Sequence, residues 1–275
     1  MILQFIVWDV SPEMFSFPEW LPLIGDRGVR WYGALFASSF VIGYYIMEKV
    51  LKRDNMGIKV LDELSTYMLV ATVIGARLGH CLFYEPAYYL ANPIEILKVW
   101  EGGLASHGAA VGIIIALYFF SRKHHKTLIW TLDRVVIVVA LAGFLIRMGN
   151  LMNSEIFGHI TSLPWGFQFV RSSDPALRAD PRHPTQIYEA LVYLATFFFL
   201  HRRFFKNDIA HKQPGFIFGI FLMAIFGSRF FIEFLKEPQV GFESDMTINM
   251  GQILSIPFII AGFYIWYSGW KKRQV

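Results

Sequence analysis

Residues 132–155 read Leu132-Asp-Arg-Val-Val-Ile-Val-Val-Ala-Leu-Ala-Gly-Phe-Leu-Ile-Arg-Met-Gly-Asn-Leu-Met-Asn-Ser-Glu155. Twelve residues, Val135 to Ile146, carry no polar side chain, and then Arg147 and Asn150 close the run. A stretch of about 20 largely apolar residues is the length that crosses a 30 Å hydrocarbon core as a helix. An arginine at the edge of such a core is expensive, roughly 2.5–3.5 kcal/mol on insertion scales. Either the guanidinium packs against a partner charge, or it binds an anionic ligand.

The rest of the chain fits a membrane setting. Of 275 residues, 55% are hydrophobic and 17% charged, and the mean hydropathy is +0.44. A water-soluble domain carries about 25% charged residues, so an ordinary soluble globule is excluded. The 27 Phe suit lipid contact and interfacial belts. Seven segments are long enough to span, at about 31–50, 64–84, 103–120, 132–152, 186–205, 214–235 and 248–267. The single cysteine, Cys81, rules out an intramolecular disulfide and any cysteine-based metal site. The first thirty residues lack a basic start, apolar core and small-residue cleavage site, so no removable signal peptide is expected.

The basic residues sort between the loops. One side holds Lys49, Lys52, Arg53, Lys59, Arg122, Lys123, Lys126, Arg202, Arg203, Lys206, Lys212, Lys271, Lys272 and Arg273. The other holds only Arg27, Lys98, Arg171, Arg178, Arg182 and Lys236. The excess marks the cytoplasmic side, which places the C-terminus inside and the N-terminus outside. The fold class is therefore an all-α polytopic membrane protein of seven transmembrane helices. It forms one integral membrane domain over residues 1–275, and loop 153–185 between spans four and five makes an external head. Pro164, Pro175, Pro181 and Ser172-Ser-Asp174 predict that this head is irregular and partly ordered.

With that topology, Arg134 falls at the cytoplasmic end of span four, where snorkelling accounts for it. Arg30, Arg77, Arg147 and Arg229 all fall at the external ends of their spans. Tyr32, His107, Asn150 and the run His183-Pro-Thr-Gln-Ile-Tyr-Glu189 reach the same depth. One polar chamber opening towards the outer leaflet is the expectation. Helical spacing puts Arg147 with Asn150, and Arg229 with Glu233, on common faces. For Arg229–Glu233 an intrahelical ion pair and a ligand site both stand. For Arg147 the ligand reading is favoured, because no carboxylate lies one turn away. Arg77, between Gly75 and Gly79, fits close helix packing as well as ligand binding. His107 stands between glycines in Gly102-Gly-Leu-Ala-Ser-His-Gly108, which leaves its ring accessible. No HExxH, carboxylate-spaced histidine or GxSxG elbow occurs, so neither a metal nor an organic cofactor is expected. The chamber offers no nucleophile of its own, so an enzyme built on it would use one carried by the substrate. Guanidinium forks match phosphate oxygens, which makes an anionic lipid the natural ligand.

The run Arg147-Met-Gly-Asn-Leu-Met-Asn-Ser-Glu-Ile-Phe-Gly158 resembles the signature of the prolipoprotein diacylglyceryl transferase family of bacterial inner membranes. Arg30-Trp-Tyr-Gly33, Gly75-Ala-Arg-Leu-Gly79, Gly102 to Gly108, His183 to Glu189, Ser228-Arg-Phe-Phe-Ile-Glu-Phe234 and Met250-Gly-Gln-Ile-Leu-Ser255 match in the family's order. Ile146, Leu151 and Ala109-Ala110 depart from it at apolar or small positions. The resemblance implies transfer of the diacylglyceryl group from phosphatidylglycerol to the lipobox cysteine of a prolipoprotein. A thioether forms and glycerol phosphate leaves. It implies as partners phosphatidylglycerol, lipobox-bearing signal peptides and the bilayer, with no nucleic acid, and an active site facing the periplasmic leaflet. The residues it assigns to chemistry are Tyr32, His107, Arg147, Asn150, Glu155 and Arg229. Those assigned to the donor lipid are Arg77, Arg147, Asn150, Asn153, His183, Gln186, Glu189 and Glu233, the glutamates chiefly as holders of arginines. His107 is the candidate base for the thiol, with Glu155 or a phosphate oxygen as rivals. An outward-facing lipid transporter or scramblase, and a structural subunit whose charges only pair, are the competing readings.

Overall fold

Long apolar runs make helices because, away from water, only the intrasegment hydrogen bonds of a helix satisfy the backbone. The computed structural model describes residues 5–18, 28–237, 246 and 248–273. Arg27, the side chains of Lys272 and Arg273, and residues 1–4 and 19–27 of the stretch read for a signal peptide lie outside the described residues. Helices dominate: α1 (Trp31–Arg53), α2 (Ile58–Phe83), a short α3 (Pro86–Ala91), α4 (Ser106–Lys123), α5 (Leu128–Met152), α6 (Thr185–Asn207), a one-turn α7 (Ile209–Lys212), α8 (Phe216–Ile232) and α9 (Met250–Arg273). Each expected span coincides with one long helix. Trp31–Arg53, Ile58–Phe83, Leu128–Met152, Phe216–Leu235 and Met250–Lys271 are long and apolar enough to cross a membrane. The chain is thus a helical multi-pass membrane protein. α4 and α6 are also long but more polar, α4 through Arg122 and Lys123, α6 through Gln186, Glu189, His201, Arg202 and Arg203.

The chain divides into two compact units, residues 44–134 and residues 1–43 with 135–275. In the first, α2 and α4 run in contact through glycines. A Cβ at Gly75 would lie 2.6 Å from the Gly108 carbonyl oxygen, one at Gly79 2.6 Å from Gly108 Cα, and one at Gly112 2.8 Å from the Ala71 carbonyl oxygen. The two small-xxx-small pairs, Gly75/Gly79 and Gly108/Gly112, therefore bring backbone onto backbone. The link between these helices turns at Gly102 (φ +93°) and Gly103 (φ +65°), conformations that glycine adopts without strain. At the other end of the unit Arg134 and Asp54 form a buried pair at 2.7 Å, with the Trp130 ring 4.1 Å from the guanidinium carbon.

In the second unit α8 and α9 pack through Gly219 and Gly262, each of whose Cβ positions would meet the other's carbonyl oxygen at 2.7 and 2.9 Å. Loop 153–185 is irregular over most of its length, with short ordered pieces within it. Strand β4 (Phe167–Phe169) pairs in parallel with β1 (Ile6–Trp8), while β2 (Glu13–Ser16) and β3 (Gly28–Arg30) form an antiparallel pair that sets Arg30 opposite Glu13. Leu151, Phe157, Phe167 and Phe169 make a small core, joined by Trp8, Met148, Leu177 and Ile187. The indole of Trp8 donates to the Leu151 carbonyl at 3.0 Å, satisfying one of the orphan acceptors at the end of α5. These are distant pairings, and no local periodicity announces them.

Candidate active site

Arg147 projects from the last two turns of α5, and its surroundings come from three other segments. Its Nε lies 2.9 Å from Glu189 Oε2 on α6, at an angle too poor for a hydrogen bond but close enough for an ion pair. Its Nη1 donates to Asn150 Oδ1 at 3.2 Å, one turn on. Tyr193, one turn beyond Glu189, lies beside the guanidinium. Tyr193 reaches it because residue 143 is glycine: a Cβ there would collide with the phenol ring. Asn150 is buried and donates through Nδ2 to Glu155 Oε1 at 2.8 Å, which Asn153 Nδ2 also reaches at 3.1 Å. The amide is wired between a cation and a carboxylate, which fixes its orientation. Tyr32, in the first turn of α1, lies against Gly149, with its Cδ2 2.8 Å from where a Cβ would stand, and feels the charges of Glu155 and Arg147.

The turn that carries Glu155 is strained. Ser154 (φ +51°) and Ile156 (φ +60°) are both left-handed, and for a β-branched residue that conformation is an outlier held by its surroundings. What holds it is the start of α6: Thr185 Oγ1 donates to the Ile156 carbonyl at 2.9 Å, and Gln186 Nε2 to the Glu155 carbonyl at 2.6 Å. Gly158 lets three segments meet, since a Cβ would strike the Leu235 carbonyl and lie within 3 Å of His183 and Thr185. Asn153 Oδ1, Ser154 Oγ and Gln186 Oε1 are buried without a protein hydrogen-bond partner among the described residues.

From Glu189 the ion pairs continue. Its other oxygen, Oε1, accepts from Lys236 Nζ at 2.9 Å, and that ammonium also touches Glu233 Oε2 at 3.0 Å. Glu233 Oε1 stands 3.9 Å from Arg229 Nη2. The sequence therefore supplies a line of alternating charge, Arg229, Glu233, Lys236, Glu189, Arg147, with Asn150 and Glu155 at its end. Arg147 does have a carboxylate partner. It comes from α6, and a reading confined to one helix could not find it. Lys236, counted among loop residues by its position, is buried. Its only local signal was the Glu233-x-x-Lys236 spacing. Tyr193 was also missed; Gly143 facing it was the one hint.

Other expected site residues have contacts of their own. His183 Nδ1 contacts the Tyr188 hydroxyl at 3.2 Å, which in turn accepts from Trp165 Nε1 at 3.0 Å. Burial, and then the neighbouring His159, hold the His183 imidazole below its ordinary pKa of 6.5. In residues 44–134, Arg77 is buried and each of its three nitrogens donates to a backbone carbonyl. It donates to the carbonyls of Ile96 (2.9 Å), Gly102 (2.6 Å), Gly103 (3.3 Å) and Glu95 (2.6 Å), with the Tyr89 ring 5.1 Å away. Of the two roles open to it, packing is the one this geometry describes: the guanidinium organises the segment between α2 and α4. His107, in the first turn of α4, is exposed, and its ring lies 5.7 Å from those of Phe83 and Tyr84. Among the described residues no group of three metal-ligating side chains occurs.

These features define a class: a multi-pass helical membrane protein with a buried ion-pair network at the ends of its spans. The model of the prolipoprotein diacylglyceryl transferase family matches residues 18–268, and the chain belongs to that family. It is 43% identical to the phosphatidylglycerol–prolipoprotein diacylglyceryl transferase of Tolumonas auensis, over 98% of this chain and 99% of that one. It is 45% identical to the enzyme of the same name from Chloroherpeton thalassium, over 99% and 97%. The corresponding enzyme of Porphyromonas gingivalis is 46% identical over 95% and 93%.

Proposed function

We propose that this chain transfers the diacylglyceryl group of phosphatidylglycerol to the thiol of a lipobox cysteine in a prolipoprotein, the first step of lipoprotein maturation. The thiolate sulfur bonds to the glyceryl CH₂ as the C–O bond to phosphate breaks. The electron pair stays on the phosphate oxygen, and glycerol phosphate departs. This reaction needs no nucleophile from the protein, which agrees with the charged groups around Arg147. The similarity over nearly the full length of three transferases carries the reading.

The protein's part is to take up a proton and to stabilise growing charge. A free thiol has a pKa of about 8.5, so a base assists. His107 fills that role: its ring is exposed, whereas Glu155 Oε1 already accepts from two amides. The phosphodiester becomes a monoester during C–O cleavage. Guanidinium groups that bind it more tightly as its charge develops lower the barrier. Arg147 takes the donor phosphate and Arg229 the leaving group. Tyr32 and Asn150 orient the headgroup, with Asn153, His183 and Gln186 in its surroundings, and Glu155, Glu189 and Glu233 hold the cations. Arg77 serves indirectly, by shaping the segment before α4.

The same reading takes the chain as a single membrane domain of seven spans in the bacterial inner membrane. Its N-terminus and the 153–185 head are periplasmic, its C-terminus is cytoplasmic, and the site opens to the periplasmic leaflet. The asymmetry of basic residues supports this orientation. The decisive experiment incubates purified protein with phosphatidylglycerol and a short lipobox peptide and weighs the peptide by mass spectrometry. A diacylglyceryl increment on the cysteine, absent with Arg147→Ala, is expected. Folded protein that leaves the peptide unmodified but moves labelled lipid between leaflets would instead identify a lipid transporter.

A further inference from the structure

Lys236 is the cation that connects the two halves of the ion-pair line. It ends the 3₁₀ turn that follows α8, its side chain is 4% exposed, and it touches both Glu189 at 2.9 Å and Glu233 at 3.0 Å. Glu233 thus faces two cations. It holds the lysine closely and Arg229 only at 3.9 Å. Arg229 is 39% exposed, and its buried Nε has no acceptor among the described residues. Of the three cations in the line, Arg229 is the least neutralised by protein. We propose that Lys236 is a positioning residue that keeps Glu233 from closing on Arg229, so that this guanidinium stays available to the phosphate of the lipid donor. The inference rests on the transferase reading and adds to it a residue and a reason for its charge.

Two physical arguments support it. The first is charge balance. Arg147, Arg229 and Lys236 stand against Glu155, Glu189 and Glu233, so the line is neutral before an anionic lipid arrives. Without Lys236 it would hold an excess negative charge where a phosphate must bind, and like charges repel most where water is scarce. The second is confinement. Glu233 Oε1 packs against Gly251, where any Cβ would collide with it, and Asn249 Nδ2 lies 3.4 Å from the Glu233 carbonyl. With Lys236 gone, closing the gap to Arg229 by about 1 Å would turn a loose contact into a charge-assisted pair. That pair would occupy the very donors the phosphate needs.

The test compares steady-state transfer by wild type, Lys236→Met, Lys236→Arg and the double variant Lys236→Met/Glu233→Gln, varying phosphatidylglycerol in mixed micelles and, separately, the lipobox peptide. We expect Lys236→Met to lower kcat/KM for the lipid by about 20-fold or more, with KM for the peptide unmoved. Lys236→Arg should stay within about threefold of wild type, because it keeps a cation between the glutamates. The double variant should transfer at least about fivefold faster than Lys236→Met, since no carboxylate is left to neutralise Arg229, while staying below wild type because Glu233 also holds that cation. A Lys236→Met enzyme with normal lipid kinetics overturns the inference. So does a double variant no better than the single, which would mark Lys236 as a structural ion only. Thermal unfolding in detergent checks folding, and if Lys236→Met does not fold, Lys236→Gln carries the same comparison. Absence of transfer by wild type would overturn the function itself, and is read separately.

Discussion

Arg147 gains its geometry from four groups: Glu189 on one side, Asn150 and Glu155 on the other, and Tyr193 beside them. A lysine at that position would carry the charge but present a single ammonium in place of a planar fork. It could satisfy Glu189 or reach Asn150, and would lose the planar fork that the proposed phosphate clamp requires. Arg147→Lys is therefore expected to lower kcat/KM about 100-fold or more, the scale of losing one aligned donor at a developing anion. Near-normal turnover by this variant, measured in the same peptide assay, would sink the phosphate-clamp assignment. The charge of Arg147 was plain in the sequence. Its partner Glu189, 42 residues away, was named only as one of several carboxylates, because nothing local says which helix face meets which.

At the scale of elements, glycines decide how close the helices come. Gly108 sits where α4 touches α2, and a Cβ there would strike the Gly75 carbonyl and lie 2.6 Å from Gly79 Cα. Both obstacles are backbone, so no rotamer change relieves them. Gly108→Ala should destabilise the protein by about 1–3 kcal/mol, the range for overpacking a tight contact. Gly227 in α8 has open space around its Cβ position, and Gly227→Ala should be neutral or stabilise by about 0.5–1 kcal/mol. Thermal unfolding in one detergent compares the two, and equal effects would refute the close-packing account. The Gly75-Ala-Arg-Leu-Gly79 spacing made this contact legible, while Gly112 and Ala71 emerged only from the fold. The head shows the opposite case. Its prolines and turn residues suggested an irregular, partly ordered chain, and what supplies the order is a parallel strand pair and a core of Leu151, Phe157, Phe167 and Phe169. Strand β1 comes from the N-terminus, about 160 residues distant from its partner β4, and such pairing leaves no short-range pattern.

For the whole molecule, the orientation proposed above rests on where the basic residues collect. It can be measured with the protein's own chemistry. The single native cysteine, Cys81, is buried, so a cysteine placed on the surface reports alone. A membrane-impermeant maleimide added to spheroplasts should label Ser173→Cys in the head and spare Lys206→Cys near the end of α6 until the membrane is opened. The reverse pattern would invert the topology and remove the periplasmic site with it.

The sequence by itself determined the helices and their order, and it marked the residues proposed to bind an anion. Each of these depends on local composition: an apolar run long enough to span, a glycine where a turn needs positive φ, an arginine where hydrocarbon ends. Only the tertiary structure decided that Glu189 meets Arg147, that Lys236 is buried between two glutamates, that Arg77 is occupied by loop carbonyls, and that the N-terminal strand completes the head. Those outcomes depend on the rotation and register of helices against one another. Contacts distant along the chain set these, and the spacing of residues within any one helix does not encode them.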